Sequence, residues 1–158
     1  MRRYPACTDQ QGASTLEFAL LLPPFIFLVI GMLEMCMIMF VSMSMDVALD
    51  NTARTGSTGY VASGQTQQQT IIATMNQYLG GMIDTTQLSI TTTSYSDLNQ
   101  IGVNGQGTSG LGTANQYVVY NVSYPWHLMT PLLDEVVGTN GVYTITVQTL
   151  VKNEPYGT

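Results

Sequence analysis

The longest departure from a mixed polar and apolar pattern begins at Phe18. FALLLPPFIFLVIGML runs for sixteen residues without a charge, and after Glu34 the apolar trend continues through MCMIMFVSMSM to Met45. A bilayer core takes about 20 residues of helix, so this run is long enough to cross one with a turn or two to spare. The pattern therefore predicts a single membrane-inserted helix from Ala13 to Met45, with its span at about 18–45. Pro23 and Pro24 remove two backbone donors near its start and are expected to bend or loosen it there. Past the apolar run, DVALDNTAR keeps a helical spacing through Val47, Leu49 and Ala53 until GSTG at 56–59 stops it. The first helix is thus expected to cover 13–58.

The remainder, 59–158, reads as one extracytoplasmic α+β domain. GSTGYVASGQT is a turn or linker, and TQQQTIIATMNQYLGGM places Ile71, Ile72, Met75, Tyr78, Leu79 and Met82 on one face of a second helix closed by Gly80 and Gly81. The period then falls to two. TQLSITTTSY at 86–95, QYVVYNVSY at 116–124 and VYTITVQTLV at 142–151 are rich in Thr, Val, Ile and Tyr, and predict about three strands of a small antiparallel sheet. Between the first two lies SDLNQIGVNGQGTSGLGTAN, a Gly-, Asn- and Ser-rich stretch that is expected to be a functional or disordered loop. PWHLMTPLLDEVV is expected to form a short helix with Pro131 in its first turn.

Composition separates the two parts further. Only 9% of residues are charged and the mean hydropathy is +0.16, although the chain beyond Asp46 is dominated by Thr, Ser, Gln, Asn and Gly. The net charge of −6 reflects a shortage of bases, with Arg2, Arg3, Arg54 and Lys152 as the whole supply. No basic cluster of the kind that displaces counterions from nucleic acid is present, so nucleic-acid binding is excluded. Arg2 and Arg3 before the apolar run, against Asp46 and Asp50 after it, put the N-terminus on the cytoplasmic side and the C-terminal domain outside. A secretory signal peptide would have a shorter apolar core ending at a small-x-small site.

Two cysteines do not make a disulfide framework, because Cys7 precedes the apolar segment and Cys36 lies within it. The methionines Met32, Met35, Met37, Met39, Met43 and Met45 read as adaptable helix-packing residues, with no metal or other cofactor implied. His127 is the lone histidine, so a His-pair metal site is ruled out, and no nucleophile motif accompanies Asp134 and Glu135. These residues indicate a protein that is not an enzyme, with His127 structural or on the surface. Trp126 and the strand tyrosines read as sheet and core packing, with an adhesive aromatic patch as the alternative.

The junction Gly12–Ala13–Ser14–Thr15–Leu16–Glu17 carries the informative chemistry. A glycine stands just before the apolar helix, and a lone carboxylate follows five positions later at the membrane boundary. A protease on the cytoplasmic side could cut after Gly12 and leave the hydrophobic helix attached, giving a chain that begins at Ala13. A carboxylate at the start of a membrane helix is costly unless it has a partner. The α-amino group of a neighbouring processed chain is one, and pairing it with Glu17 would set the register between adjacent helices. The alternative is that Glu17 serves only as an N-terminal helix charge.

Gly12 followed by ASTLEFALLLPP resembles the processing site of type IV pilin-like proteins. The longer segment from Gly12 to Gly59 is similar to the TadE-like minor pilins, or pseudopilins, of tight-adherence systems, and the ending VKNEPYGT suggests the family again. That resemblance implies a basic leader, 1–12, removed by a prepilin peptidase, with Gly12 and Ala13 as the processing site and Glu17 as the assembly carboxylate. It implies a single-pass protein of the bacterial inner membrane that helps a Flp-type pilus to assemble or initiate, is incorporated into the fibre, and has other pilins and the assembly platform as partners. An uncleaved single-span envelope protein with an outer binding domain, and a membrane-anchored hydrolase, are the competing classes. Glu34 lies about 24 Å along the helix from Phe18 at 1.5 Å per residue. It is expected either to reach the membrane interface or to make an intramembrane contact with another pilin helix or the assembly platform.

Overall fold

The computed structural model describes residues 10–103, 105–130 and 140–155, with side chains described from Ser14 onward. The first element is one uninterrupted helix, α1, Gln10–Ser57, of 48 residues. Pro23 and Pro24 lie inside it without ending it. At 1.5 Å per residue α1 is about 70 Å long, more than twice the bilayer core. It is long and apolar enough to cross a membrane.

The two halves of α1 have different surroundings. Every side chain from Ser14 to Ile30 is exposed, whereas Glu34, Ile38, Val41, Met45, Ala48, Leu49, Thr52 and Ala53 are buried. Their three- and four-residue spacing draws one stripe along the helix, and that stripe is the floor of the domain core. The expected span of 18–45 therefore divides: its first half is bare, and its second half already belongs to the folded domain.

The second helix, α2, Gln67–Leu79, packs Ile71, Met75 and Leu79 into the same core. A reciprocal capping box starts it, with the Thr66 hydroxyl accepting from Gln69 N–H and the Gln69 side chain accepting from Thr66 N–H. Ile72, Tyr78 and Met82, expected on the apolar face, are instead exposed.

The sheet consists of β1 (Ser89–Tyr95), β2 (Thr108–Ser109), β3 (Tyr117–His127) and β4 (Val142–Lys152), in the order β2-β1-β3-β4, with antiparallel neighbours throughout. Val118, Tyr120, Val122 and Tyr124 of β3 and Ile145 and Val147 of β4 face α1 and α2 and complete the core. This α+β arrangement is the expected one, with three differences.

The first strand starts at Ser89, because Asp84 caps a 3-10 turn over Thr85–Gln87. The Gly-rich stretch contains the fourth strand. Ser94 Oγ donates to the Thr108 carbonyl, and Asn153 Nδ2 donates to the carbonyls of Leu111 and Thr113 (2.9 and 3.0 Å), so the described part of this loop is fastened at both sides. Finally, Pro125, Trp126 and His127, expected to open a short helix, continue β3 instead. Pro125 is tolerated because β1 pairs only as far as Ser123, leaving no ladder bond on that side to lose. The expected helix turn at Pro131 lies outside the described residues.

The top of α1 meets the sheet closely. A Cβ added to Gly56 would press into the Tyr120 hydroxyl and come within 3.3 Å of Ile71 Cδ1. Tyr120 is fully buried and cannot swing away into solvent. Gly56→Ala should therefore lower stability by about 2 kcal/mol despite alanine's better helix propensity. Chemical denaturation of the full chain in detergent measures this, and a neutral or stabilising result would contradict the close approach.

Candidate functional site

Two features of α1 stand out from a structural helix: its bare N-terminal half and the carboxylate that ends it. Gly12 and Ala13 lie in the opening turns of α1. Glu17 is on the exposed part of the helix, between Leu16 (75% exposed) and Phe18 (65% exposed). Leu20, Leu21, Phe25, Phe27 and Leu28 continue the same unpartnered apolar surface. Such a surface is incompatible with water along its length and is suited to lipid or to other apolar helices.

Glu34 lies about 25 Å further along the helix than Glu17, at 1.5 Å per residue. It is only 6% exposed. Its carboxylate reaches back to its own chain just after β3: Met129 N–H donates to Oε1 (2.5 Å) and Thr130 N–H donates to Oε2 (3.0 Å). The Thr130 hydroxyl and the Trp126 indole N–H lie nearby without completing a hydrogen bond of their own. Thr130 is itself buried, and Leu128 N–H donates to the Gly141 carbonyl at 2.8 Å, which ties this turn to the start of β4. A carboxylate is an acceptor through both oxygens, so it can satisfy two adjacent backbone N–H groups at once. The structure thus supplies a third role for Glu34, beside the two expected ones: it pins the sheet to the helix at the lower edge of the domain.

At the opposite end, Glu154 N–H donates to the Ser57 carbonyl (2.8 Å), closing the C-terminal segment onto the last turn of α1. Together, the contacts at Glu34 and Ser57 hold the sheet along the second half of the helix. Asn153, which sequence reasoning left inside a family-like tail, is buried and joins the Gly-rich loop to that closure. Its only sequence signal was an amide placed directly after a strand.

With this division of α1 in view, one comparison decides the segment. Residues 12–54 match the sequence model of a family described as "TadE-like protein". That stretch of the chain is similar to TadE-like proteins. The TadE-like segment begins at the proposed processing glycine and ends three residues before α1 does. It covers both the bare half and the half that the sheet packs against. No curated protein and no solved structure matches the chain.

The remaining sequence candidates are not brought together. His127 is exposed at the end of β3, and Asp134 and Glu135 lie outside the described residues. Among the described residues no cluster of three His, Cys, Asp or Glu side chains could hold a metal. The tyrosines divide: Tyr120 and Tyr124 are in the core, Trp126 packs against it, and Tyr60 and Tyr78 are exposed at separate places. Cys36, expected within the apolar segment, is exposed on α1.

Proposed function

We propose that this chain is a minor pilin of a tight-adherence, Flp-type pilus, made as a single-pass inner-membrane precursor and used to assemble or initiate the fibre. The segment from Ser14 to Leu33, exposed at every residue but Gly31, is twenty residues, or about 30 Å of helix, which equals a bilayer core. One stripe of the second half of the longer 18–45 span is covered by the domain, which favours the shorter placement. The leader, 1–12, lies on the cytoplasmic side, is cut after Gly12 by a prepilin peptidase, and leaves Ala13 as the new N-terminus. Glu17 then offers its carboxylate to the amine of a neighbouring pilin subunit, while the domain from 59 onward is displayed outside.

The observation that carries this reading is the coincidence of boundaries. The TadE-like match starts at residue 12, two positions before the exposed run described from Ser14, and extends through the half that carries the domain. An ordinary membrane anchor needs neither the glycine before the helix nor a carboxylate placed in its exposed apolar part.

Glu17→Gln tests the assembly role. This exchange keeps size and polarity but removes the charge that an α-amino group would meet. Surface pili, counted by electron microscopy or recovered by shearing, should be lost, while the variant remains processed and present in the membrane at the normal level. Normal piliation by Glu17→Gln would remove the assigned role.

A further inference from the structure

The apolar surface of α1 does not stop where a bilayer would. Above Leu33 the helix carries Cys36, Met39, Met43 and Val47 on one face, in line with Met32 below, at spacings of three and four residues. Met32, Met39, Met43 and Val47 are each at least 60% exposed, and Cys36 is exposed as well. Each stands two positions from a buried residue of the core stripe, which is about 200° around the helix. The ridge therefore lies opposite the buried stripe, with Met39 and Met43 forming one wall of a cleft whose other wall is Tyr143, Ile145 and Thr146 of β4. Between Glu34 and Asp46 the sequence has no charge, so about 18 Å of helix beyond the bilayer presents thioether, thiol and aromatic groups to water. Clefts on both flanks, lined by Tyr143 and Ile145 on one side and Tyr78 and Met82 on the other, widen this apolar strip.

We infer that the ridge is the contact face of a parallel, two-fold symmetric homodimer in the membrane, with a second copy of this chain as its occupant. The inference rests on the reading of 14–33 as the membrane span. Three features select a second copy. Copies inserted in one membrane have parallel α1 helices, and a two-fold axis along the membrane normal brings ridge to ridge while both sheets stay on the outside. The surface is self-complementary, being uncharged and lined by adaptable methionines.

The competing self-contact, at the edge strand β4, fails on direction. β4 starts beside His127, near the Glu34 contact, and ends at Lys152, near the Ser57 closure, so it runs the same way as α1. Two-fold antiparallel pairing of β4 with itself would point the two α1 helices in opposite directions, which one membrane forbids.

Contact from Ser14 to Val47 covers about 50 Å of helix on a side roughly 10 Å wide, on the order of 500 Å² per copy. That is a modest interface, and confinement to one bilayer raises the effective concentration that sustains it. Asp46 brings like charges together at its upper end and limits it there, while Asp50 turns to β4, where its carboxylate accepts from the Thr149 hydroxyl (3.1 Å).

Cys36 lies at the centre of the ridge and provides the test. The full chain carrying Cys7→Ser, with Cys36 as its one thiol, is reconstituted in dilute liposomes and oxidised with copper phenanthroline. The comparison carries Cys36→Ser and Met37→Cys in addition, moving the thiol about 100° to the side at a position 51% exposed. Cys36 should form a disulfide-linked dimer at least about tenfold faster than the Met37 position, because the bond needs close and directed Cβ atoms. Met39→Glu with Met43→Glu, both at positions that tolerate solvent, should reduce Cys36 linkage to the Met37 level. It should also leave a monomer in sedimentation of the detergent-solubilised protein. Equal rates at the two thiol positions, or a monomer before any substitution, overturn the proposal. Those outcomes leave leader processing and piliation untouched, so the pilin reading stands or falls separately.

Discussion

Replacing Glu34 with alanine is expected to destabilise the domain by about 3 kcal/mol, a large share of what a domain of this size possesses. The loss comes from the partners left behind. Met129 and Thr130 N–H groups now donate to one carboxylate; Met129 is exposed, but Thr130 is buried, so truncation leaves its donor without an acceptor where water has little access. Trp126, packed against the core, loses the carboxylate that lies near its indole N–H. Glu34→Gln should cost less, about 1–2 kcal/mol, because one oxygen remains while the new amide group meets a backbone donor. Thermal unfolding of the full chain in detergent gives the size of the effect, and hydrogen exchange at the Met129 and Thr130 amides gives its location. Stability within about 0.5 kcal/mol of the parent for Glu34→Ala would show that the junction is held by apolar packing alone.

The contrast between the two glutamates shows what was readable in the chain. Hydropathy and period gave α1 nearly to its ends, and the positions of α2, β1, β3 and β4, because each has a long apolar or alternating pattern. Glu17 and Gly12 stood out because a charge and a glycine at the mouth of an apolar helix are out of place, and the roles assigned to them are proposals. Glu34 was legible as an anomaly and not as a junction. Its donors are Met129 and Thr130, ninety-five and ninety-six positions away, and no local pattern reports a contact at that separation. The same holds for Asn153 and the Gly-rich loop. β2 is two residues long, so its pairing with Thr93 and Ser94 is set by the tertiary fold and leaves no period of its own. The division of the apolar run into a bare half and a covered half was hidden too, because lipid and a domain core demand the same side chains.

Gly12→Leu should block removal of the leader altogether. A peptide bond must leave the helix and extend to enter a protease site, and Gly12 lies in the first turn of α1, where a glycine weakens the helix by about 1 kcal/mol relative to alanine. Leucine strengthens that turn and puts a branched side chain where the resemblance implies a residue without one. The variant should accumulate in the membrane as the full-length precursor, with pili lost, and its intact mass should retain residues 1–12. Efficient cleavage of Gly12→Leu would move the processing site elsewhere.

The expectations for Gly12 and Glu17 descend from the claim that α1 is an assembly helix with a removable leader and not a plain anchor. Intact-mass measurement of the protein purified from its producing cell, with the prepilin peptidase present and with it deleted, tests that claim most directly. The account predicts a chain starting at Ala13 when the peptidase is present and at Met1 when it is absent. A chain starting at Met1 in both cells would contradict it.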